Sequence, residues 1–143
     1  MRSYCKLADA ELAVNNDVAK ARDIANQSLP LLNEFTIRSP SLFVLRGLGY
    51  CYKTLGNIER HIGTDQKLSP SDRHAALDAA RDWYEKAAGL WVEWNRRGAA
   101  TPESEIEHHR VEHILASFAL GGSRQRSLSS TARAVSNRLP PSK

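Results

Sequence analysis

Apolar residues along this chain recur every three or four positions, which is the spacing of one face of an α-helix. The clearest run alternates steps of four and three and consists of Ala80, Tyr84, Ala87, Trp91 and Trp94. No segment of the sequence alternates cleanly between apolar and polar residues, as a half-buried β-strand would. The pattern therefore predicts an all-α protein.

Local start and stop signals divide this pattern into five predicted helices. A hydroxyl residue followed by proline favours a helix start, because the hydroxyl caps free N–H groups and proline gives up a donor that has no partner there. This pair occurs at Ser39-Pro40, Ser69-Pro70 and Thr101-Pro102, and Gly98 after two arginines is typical of a helix end. The predicted helices cover about residues 3–14, 17–35, 40 to 55 or 62, 70–97 and 102–119, with a loop over 63–69.

The last 23 residues, Gly121 to Lys143, differ from the rest in composition. They contain five basic and no acidic side chains, together with six serines and two prolines. Such a segment has too few apolar side chains to form a core by itself. We therefore predict a helical domain over residues 1–120 and a disordered basic tail over residues 121–143.

The net charge of +4 comes from the tail, because the first 120 residues carry 15 basic and 16 acidic side chains. A domain that reads DNA concentrates positive charge on its folded surface. We therefore expect no specific nucleic-acid partner, and only a weak, salt-dependent attraction of the tail for polyanions. No apolar run approaches the roughly 18 residues of a membrane helix, so we expect no membrane partner either.

The chain has two cysteines, Cys5 and Cys51, which are too few for a disulfide scaffold. The N-terminal residues lack the apolar core of a secretory signal. We expect two reduced thiols and a cytoplasmic location.

Two segments resemble the tetratricopeptide repeat. Leu45-x2-Leu48-Gly49-x2-Tyr52 is similar to the first helix of that repeat, W-x2-L-G-x2-Y, with Leu in place of Trp, and Ala80-x3-Tyr84-x2-Ala87 is similar to its second helix. A weaker copy precedes them over residues 5–28, so the resemblance covers about residues 2–97 as two repeats. The join between residues 57 and 80 is about 19 residues longer than a 34-residue repeat allows, which we interpret as elongated helices and a loop. The fifth helix would be the C-terminal cap.

The resemblance implies an all-α array of antiparallel helix pairs that acts as a non-catalytic protein-binding scaffold. Small residues would let the two helices of a pair approach closely, with Gly49 and Ala80 meeting at the crossing. The first helices of such repeats line a groove for peptides. Matching the groove positions to the second repeat gives Phe43, Arg46, Tyr50, Lys53 and Thr54.

Positive charge beside flat apolar surface in this groove suits an acidic peptide or a C-terminal carboxylate. An alternative interpretation is that Phe43 and Tyr50 pack on the neighbouring repeat instead. Arrays of this kind usually need about three repeats, and the N-terminal end has no cap. The chain is therefore expected to be part of a longer array or to self-associate through its first helices.

A second functional hypothesis comes from residues 79–91, which are similar to the repeat regions that follow bacterial serine/threonine kinases and related regulators. Under this hypothesis the chain is a regulatory or sensory module that was once joined to such a protein. The chain itself has no kinase signature, no phosphate loop and no nucleophile elbow, so we expect no enzymatic activity.

The histidines give one candidate metal site, because His109 and His113 are spaced like the two ligands of an H-E-x-x-H zinc helix. The order here is H-R-V-E-H, which misplaces the glutamate for the protease role. A solvated helix face is the preferred interpretation, and we expect neither a metal nor another cofactor.

Overall fold

The computed structural model describes the backbone of residues 2–37 and 41–136, and the side chains of residues 2–34 and 41–119. Its α-helices are α1 (Arg2–Ala10), α2 (Val18–Asn26), α3 (Leu29–Ile37), α4 (Leu42–Thr64), α5 (Pro70–Arg96) and α6 (Pro102–Ser136). A π-helical segment, Glu11–Asn15, continues α1. No β-strand occurs in the described ranges, which confirms the predicted all-α class.

Helices α4 and α5 form a long antiparallel hairpin at the centre of the fold. Three glycines of α4 each lie against a bulky residue of α5. The glycines are seven residues apart along α4, and their partners are seven residues apart along α5. The contacts join Gly49 to Trp91, Gly56 to Tyr84 and Gly63 to Leu77. Seven residues are about two helical turns, so each set lies on one face of its helix.

This register corrects the predicted crossing. A Cβ atom on Gly49 would lie 3.3 Å from the Trp91 ring, so Trp91 and not Ala80 occupies the position opposite this glycine. Ala80 lies eleven residues earlier in α5, about 16 Å along the helix axis. The prediction that Gly49 and Ala80 meet is wrong, because the partner that fits against a glycine is a large side chain.

The start signals at residues 69 and 101 are confirmed. The Ser69 hydroxyl accepts from the Asp72 N–H at 3.1 Å, and the Thr101 hydroxyl accepts from the Ser104 N–H at 3.2 Å. The third signal, Ser39-Pro40, lies outside the described residues, and Ser41 caps α4. Helix α4 continues to Thr64, so the predicted elongation is present and the loop covers only residues 65–69.

The predicted second helix, residues 17–35, is divided into α2 and α3. Proline has no N–H, so Pro30 cannot donate to the carbonyl four residues earlier, and a helix accommodates it best in its first turn. Helix α3 begins at Leu29, one residue before this proline. Ser28 lies at the break, fully buried, and its hydroxyl donates to the carbonyl of Ala25 at 2.6 Å.

Cys5 and Cys51 form a disulfide that ties α1 to α4, so the expectation of two free thiols is wrong. Helix α1 packs against the middle of α4 and brings the two Cα atoms to 5.2 Å, within the range of a disulfide. The sequence separation of 46 residues hides this proximity from local pattern analysis. The cytoplasmic location inferred from free thiols loses that support.

Helix α6 packs on α5, and its backbone continues through Gly121 and Gly122 to Ser136. The predicted end near residue 119 is therefore not a helix end. Residues 137–143 lie outside the described ranges, and the division into a domain and a disordered tail stays a prediction. Within the described chain, no helix is both long and apolar enough to cross a bilayer.

Candidate functional site

A small cleft of about 210 Å³ lies where α1, α4, α5 and α6 meet. Helix α4 supplies three lining residues at steps of four and three, which places them on one face. The residues of this α1/α4/α6 cleft are Arg2, Arg46, Tyr50, Lys53, Trp91, Glu103, Ser104 and Glu107.

The structure brings together three of the five predicted groove residues, Arg46, Tyr50 and Lys53. Phe43 is 76% exposed and does not line the cleft. Thr54 is fully buried, which contradicts its predicted outward position, because the α4 face that carries it turns into the core. Its hydroxyl oxygen has no hydrogen-bond partner among the described residues.

Tyr50 forms one wall of the cleft, and both its hydroxyl and its ring contact charged side chains. Its hydroxyl donates to the Asp9 carboxylate at 3.0 Å, and the Lys53 ammonium lies 5.1 Å from its ring centroid. Burial, followed by the bond to Asp9, raises the pKa of Tyr50 to about 12, so it stays a neutral donor. Tyr50 therefore contacts α1, whereas the alternative interpretation that Phe43 and Tyr50 pack on a neighbouring repeat stays a prediction.

Lys53 is paired across the cleft with Glu107, at 2.6 Å between Nζ and Oε2. Glu107 also accepts from Arg110 at 2.7 Å. Burial alone would raise the pKa of Glu107, but the charges and hydrogen bonds of Lys53 and Arg110 outweigh it and lower that pKa. The positive charge of Lys53 is therefore largely neutralised.

Arg46 and Arg2 supply the remaining positive charge. The pKa of Glu103 is lowered first by its own backbone N–H and by Thr101, and only then by the charge of Arg46. Three cations and two carboxylates line the cleft, which leaves it with a net positive charge.

Two buried donors beside the cleft have no hydrogen-bond partner among the described residues, Arg2 Nε and Trp91 Nε1. Trp91 is only 6% exposed, and its indole nitrogen lies against Gly49. A buried donor without an acceptor costs about 1–3 kcal/mol.

Comparison of the chain with protein-family models, curated proteins and solved structures found no match, so the tetratricopeptide resemblance stays a prediction.

The predicted histidine cluster does not converge on one point. His108 and His109 both reach Glu112, at 3.4 and 3.2 Å, and their rings stack 6.2 Å apart. His113 instead lines a cavity between α4, α5 and α6. Among the residues with described positions, no group of three or more His, Cys, Asp or Glu is arranged to hold a metal ion.

Five of the eight residues of the cleft are absent from the predicted groove, because that groove follows one helix only. Arg2, Trp91, Glu103, Ser104 and Glu107 come from three other helices, and their approach depends on tertiary packing. One signal was available in the sequence. Glu103 and Glu107 are four residues apart behind a clear helix start, which places both carboxylates on one face of α6.

Proposed function

We propose that this protein is a non-catalytic helical scaffold that binds an acidic segment of a partner protein in the α1/α4/α6 cleft. The observation that carries the proposal is the excess of charged donors over carboxylates in the cleft, where Arg2, Arg46 and Lys53 lie beside Glu103 and Glu107. A carboxylate forms its strongest hydrogen bonds with such donors, since one of the partners is charged. At about 210 Å³ the cleft suits one acidic side chain or a C-terminal carboxylate.

We further infer a packing of tetratricopeptide type for the central hairpin. The support is the alternation of small residues on α4 with large residues on α5, seen at Gly49 against Trp91 and at Gly56 against Tyr84. The helices are longer than in a regular repeat. Helix α4 has 23 residues and α5 has 27, whereas both helices and their turns share 34 residues in a tetratricopeptide repeat.

Fluorescence anisotropy with two labelled peptides tests the binding function. Both peptides carry the same acidic sequence, one with a free C-terminal carboxylate and the other amidated. We expect saturable binding of the acidic peptides, with a higher affinity for the free carboxylate. Arg46→Gln should weaken binding about tenfold, because a charge-assisted hydrogen bond contributes about 1.5–3 kcal/mol.

Arg81→Gln is the matched control, because Arg81 is an exposed arginine of α5 that does not line the cleft. It should leave peptide binding unchanged. Equal binding by the wild type and Arg46→Gln, or an equal loss in both variants, would remove the cleft as the binding site.

A further inference from the structure

A second, larger cavity of about 630 Å³ lies on another part of the molecule, and it shares no residue with the α1/α4/α6 cleft. Its walls come from three helices: the C-terminal part of α4, the N-terminal half of α5, and α6. The side chains that define this α4/α5/α6 pocket are Arg60, His74, Leu77, Arg81, His113 and Phe118.

The floor of the pocket is apolar and is held by the core. Ile114 and Phe118 are partly buried and pack on the main hydrophobic cluster, and the Phe118 ring lies 6.2 Å from that of Tyr84. Leu77 rests on the backbone of α4, since a Cβ atom on Gly63 would lie 2.5 Å from its Cγ. The apolar surface is therefore fixed in place by packing on two sides.

The rim of the pocket is basic. Asp78 is the one carboxylate among its described lining residues, and it is already engaged by Arg81 at 3.4 Å and by His74 at 3.6 Å. Arg60 lies next to the Tyr84 hydroxyl and has no carboxylate partner in the described part of the chain. Arg81 also pairs with Glu85 at 3.9 Å, so the positive charge left over after pairing comes from Arg60, and His113 adds a further nitrogen that can donate.

A third cavity has the opposite balance of charged residues, and the comparison indicates which charge the ligand of each cavity would carry. It has a similar size, about 720 Å³, and is also lined largely by apolar side chains, between α2, α4 and α5. Its charged residues are one cation, Arg22, and three carboxylates, Asp23, Glu59 and Asp72. An anion is therefore disfavoured there and favoured in the α4/α5/α6 pocket.

We propose that the α4/α5/α6 pocket binds a small organic acid that has an apolar body and one anionic group. The body lies on the floor formed by Leu77, Ile114 and Phe118. The anionic group faces Arg60 and Arg81 on the rim. This arrangement follows the usual composition of small-molecule pockets, a mostly apolar lining with a few polar groups that fix orientation.

Titration with the fluorescent probe 1-anilinonaphthalene-8-sulfonate tests this proposal, because the probe joins an aromatic body to a single sulfonate. We expect saturable binding with one site per chain and displacement by decanoate. The double variant Arg60→Gln/Arg81→Gln should weaken binding about fivefold, since each exposed charge pair contributes up to about 1 kcal/mol. Both arginines are exposed, so circular dichroism should show an unchanged fold.

Arg22→Gln, which removes the cation of the third cavity, is the matched control and should not weaken binding. A second variant, Ser117→Phe, places a ring in the pocket and should abolish probe binding in a folded protein. The proposal is overturned if the uncharged analogue N-phenyl-1-naphthylamine binds equally well at the same site. Equal affinities in the wild type and the double variant would also overturn it. Arg46→Gln should leave this titration unchanged, which separates it from the peptide-binding proposal.

Discussion

At Gly56 the central hairpin leaves almost no room for an added side chain. A Cβ atom there would lie 2.9 Å from the ring of Tyr84. Tyr84 is fully buried, and its hydroxyl donates to the Asn57 amide oxygen at 2.7 Å, so the ring cannot move aside without breaking that bond. The absence of a methyl group at Gly56 therefore contributes to the close approach of α4 and α5.

We predict that Gly56→Ala lowers the free energy of unfolding by about 1–2 kcal/mol. Overpacking a core costs about 1–3 kcal/mol, and the better helix propensity of alanine returns up to about 1 kcal/mol. Gly89→Ala is the control, because a Cβ atom on Gly89 meets nothing within 4 Å and the change should stabilise α5 by up to about 1 kcal/mol. Urea unfolding measures both values, and equal effects of the two variants would contradict the proposed register.

At the scale of elements, α1 depends on its attachment to α4. Helix α1 and its π-helical continuation have nine and five residues, a combined length that is only marginally stable for a helix alone. The disulfide between Cys5 and Cys51 and the hydrogen bond between Asp9 and Tyr50 hold it in place. Arg2, at the start of α1, lines the α1/α4/α6 cleft, so the attachment of α1 also determines part of the cleft.

Reduction of the disulfide should therefore release α1 and leave the central hairpin folded. A crosslink that closes a loop of about 46 residues contributes about 4 kcal/mol by the chain-entropy relation. Hydrogen exchange measured with and without a dithiol reductant should show faster exchange in α1 and unchanged protection in α4 and α5. Unchanged exchange of α1 after complete reduction would show that its packing suffices without the crosslink.

Sequence patterns predicted those elements whose signals are local. The starts of α5 and α6 follow from a capping hydroxyl and a proline, and the central helices follow from a regular apolar stripe. The disulfide and the partners of the three glycines were not predictable, because they depend on how distant elements pack. The candidate cleft was predictable in part. Arg46, Tyr50 and Lys53 share one helix face, which a sequence pattern can show. Arg2 and Trp91 come from other helices, and only the tertiary fold brings them to the cleft.

At the scale of the whole molecule, α1 and its π-helical continuation leave three apolar side chains exposed to solvent. Tyr4, Leu7 and Val14 are 40%, 51% and 81% exposed, and they follow one another at intervals of three and seven residues. The sequence indicated self-association through the first helices, and these side chains form the surface that we propose for it. A contiguous exposed apolar patch is typical of an interaction site.

Replacing Leu7 by Glu should abolish this self-association, because a charge at the centre of a buried apolar interface is strongly unfavourable. Sedimentation velocity over a range of concentrations measures it. The matched control is Val92→Glu, which places the same charge on an exposed apolar position of α5. A wild-type chain that sediments as a monomer at all concentrations would contradict the proposal.

The binding of a carboxylate in the α1/α4/α6 cleft is tested most directly by the indole N–H signals of the three tryptophans in a nitrogen–proton correlation spectrum. A short acidic peptide with a free C-terminus is titrated into the protein, and its amidated form serves as the control. We expect a shift of the Trp91 indole signal as a carboxylate binds in the cleft that this ring lines, with little change at Trp94, which lies outside the cleft. A Trp91 signal that stays in place at saturating peptide, or that moves equally with the amidated form, would contradict it.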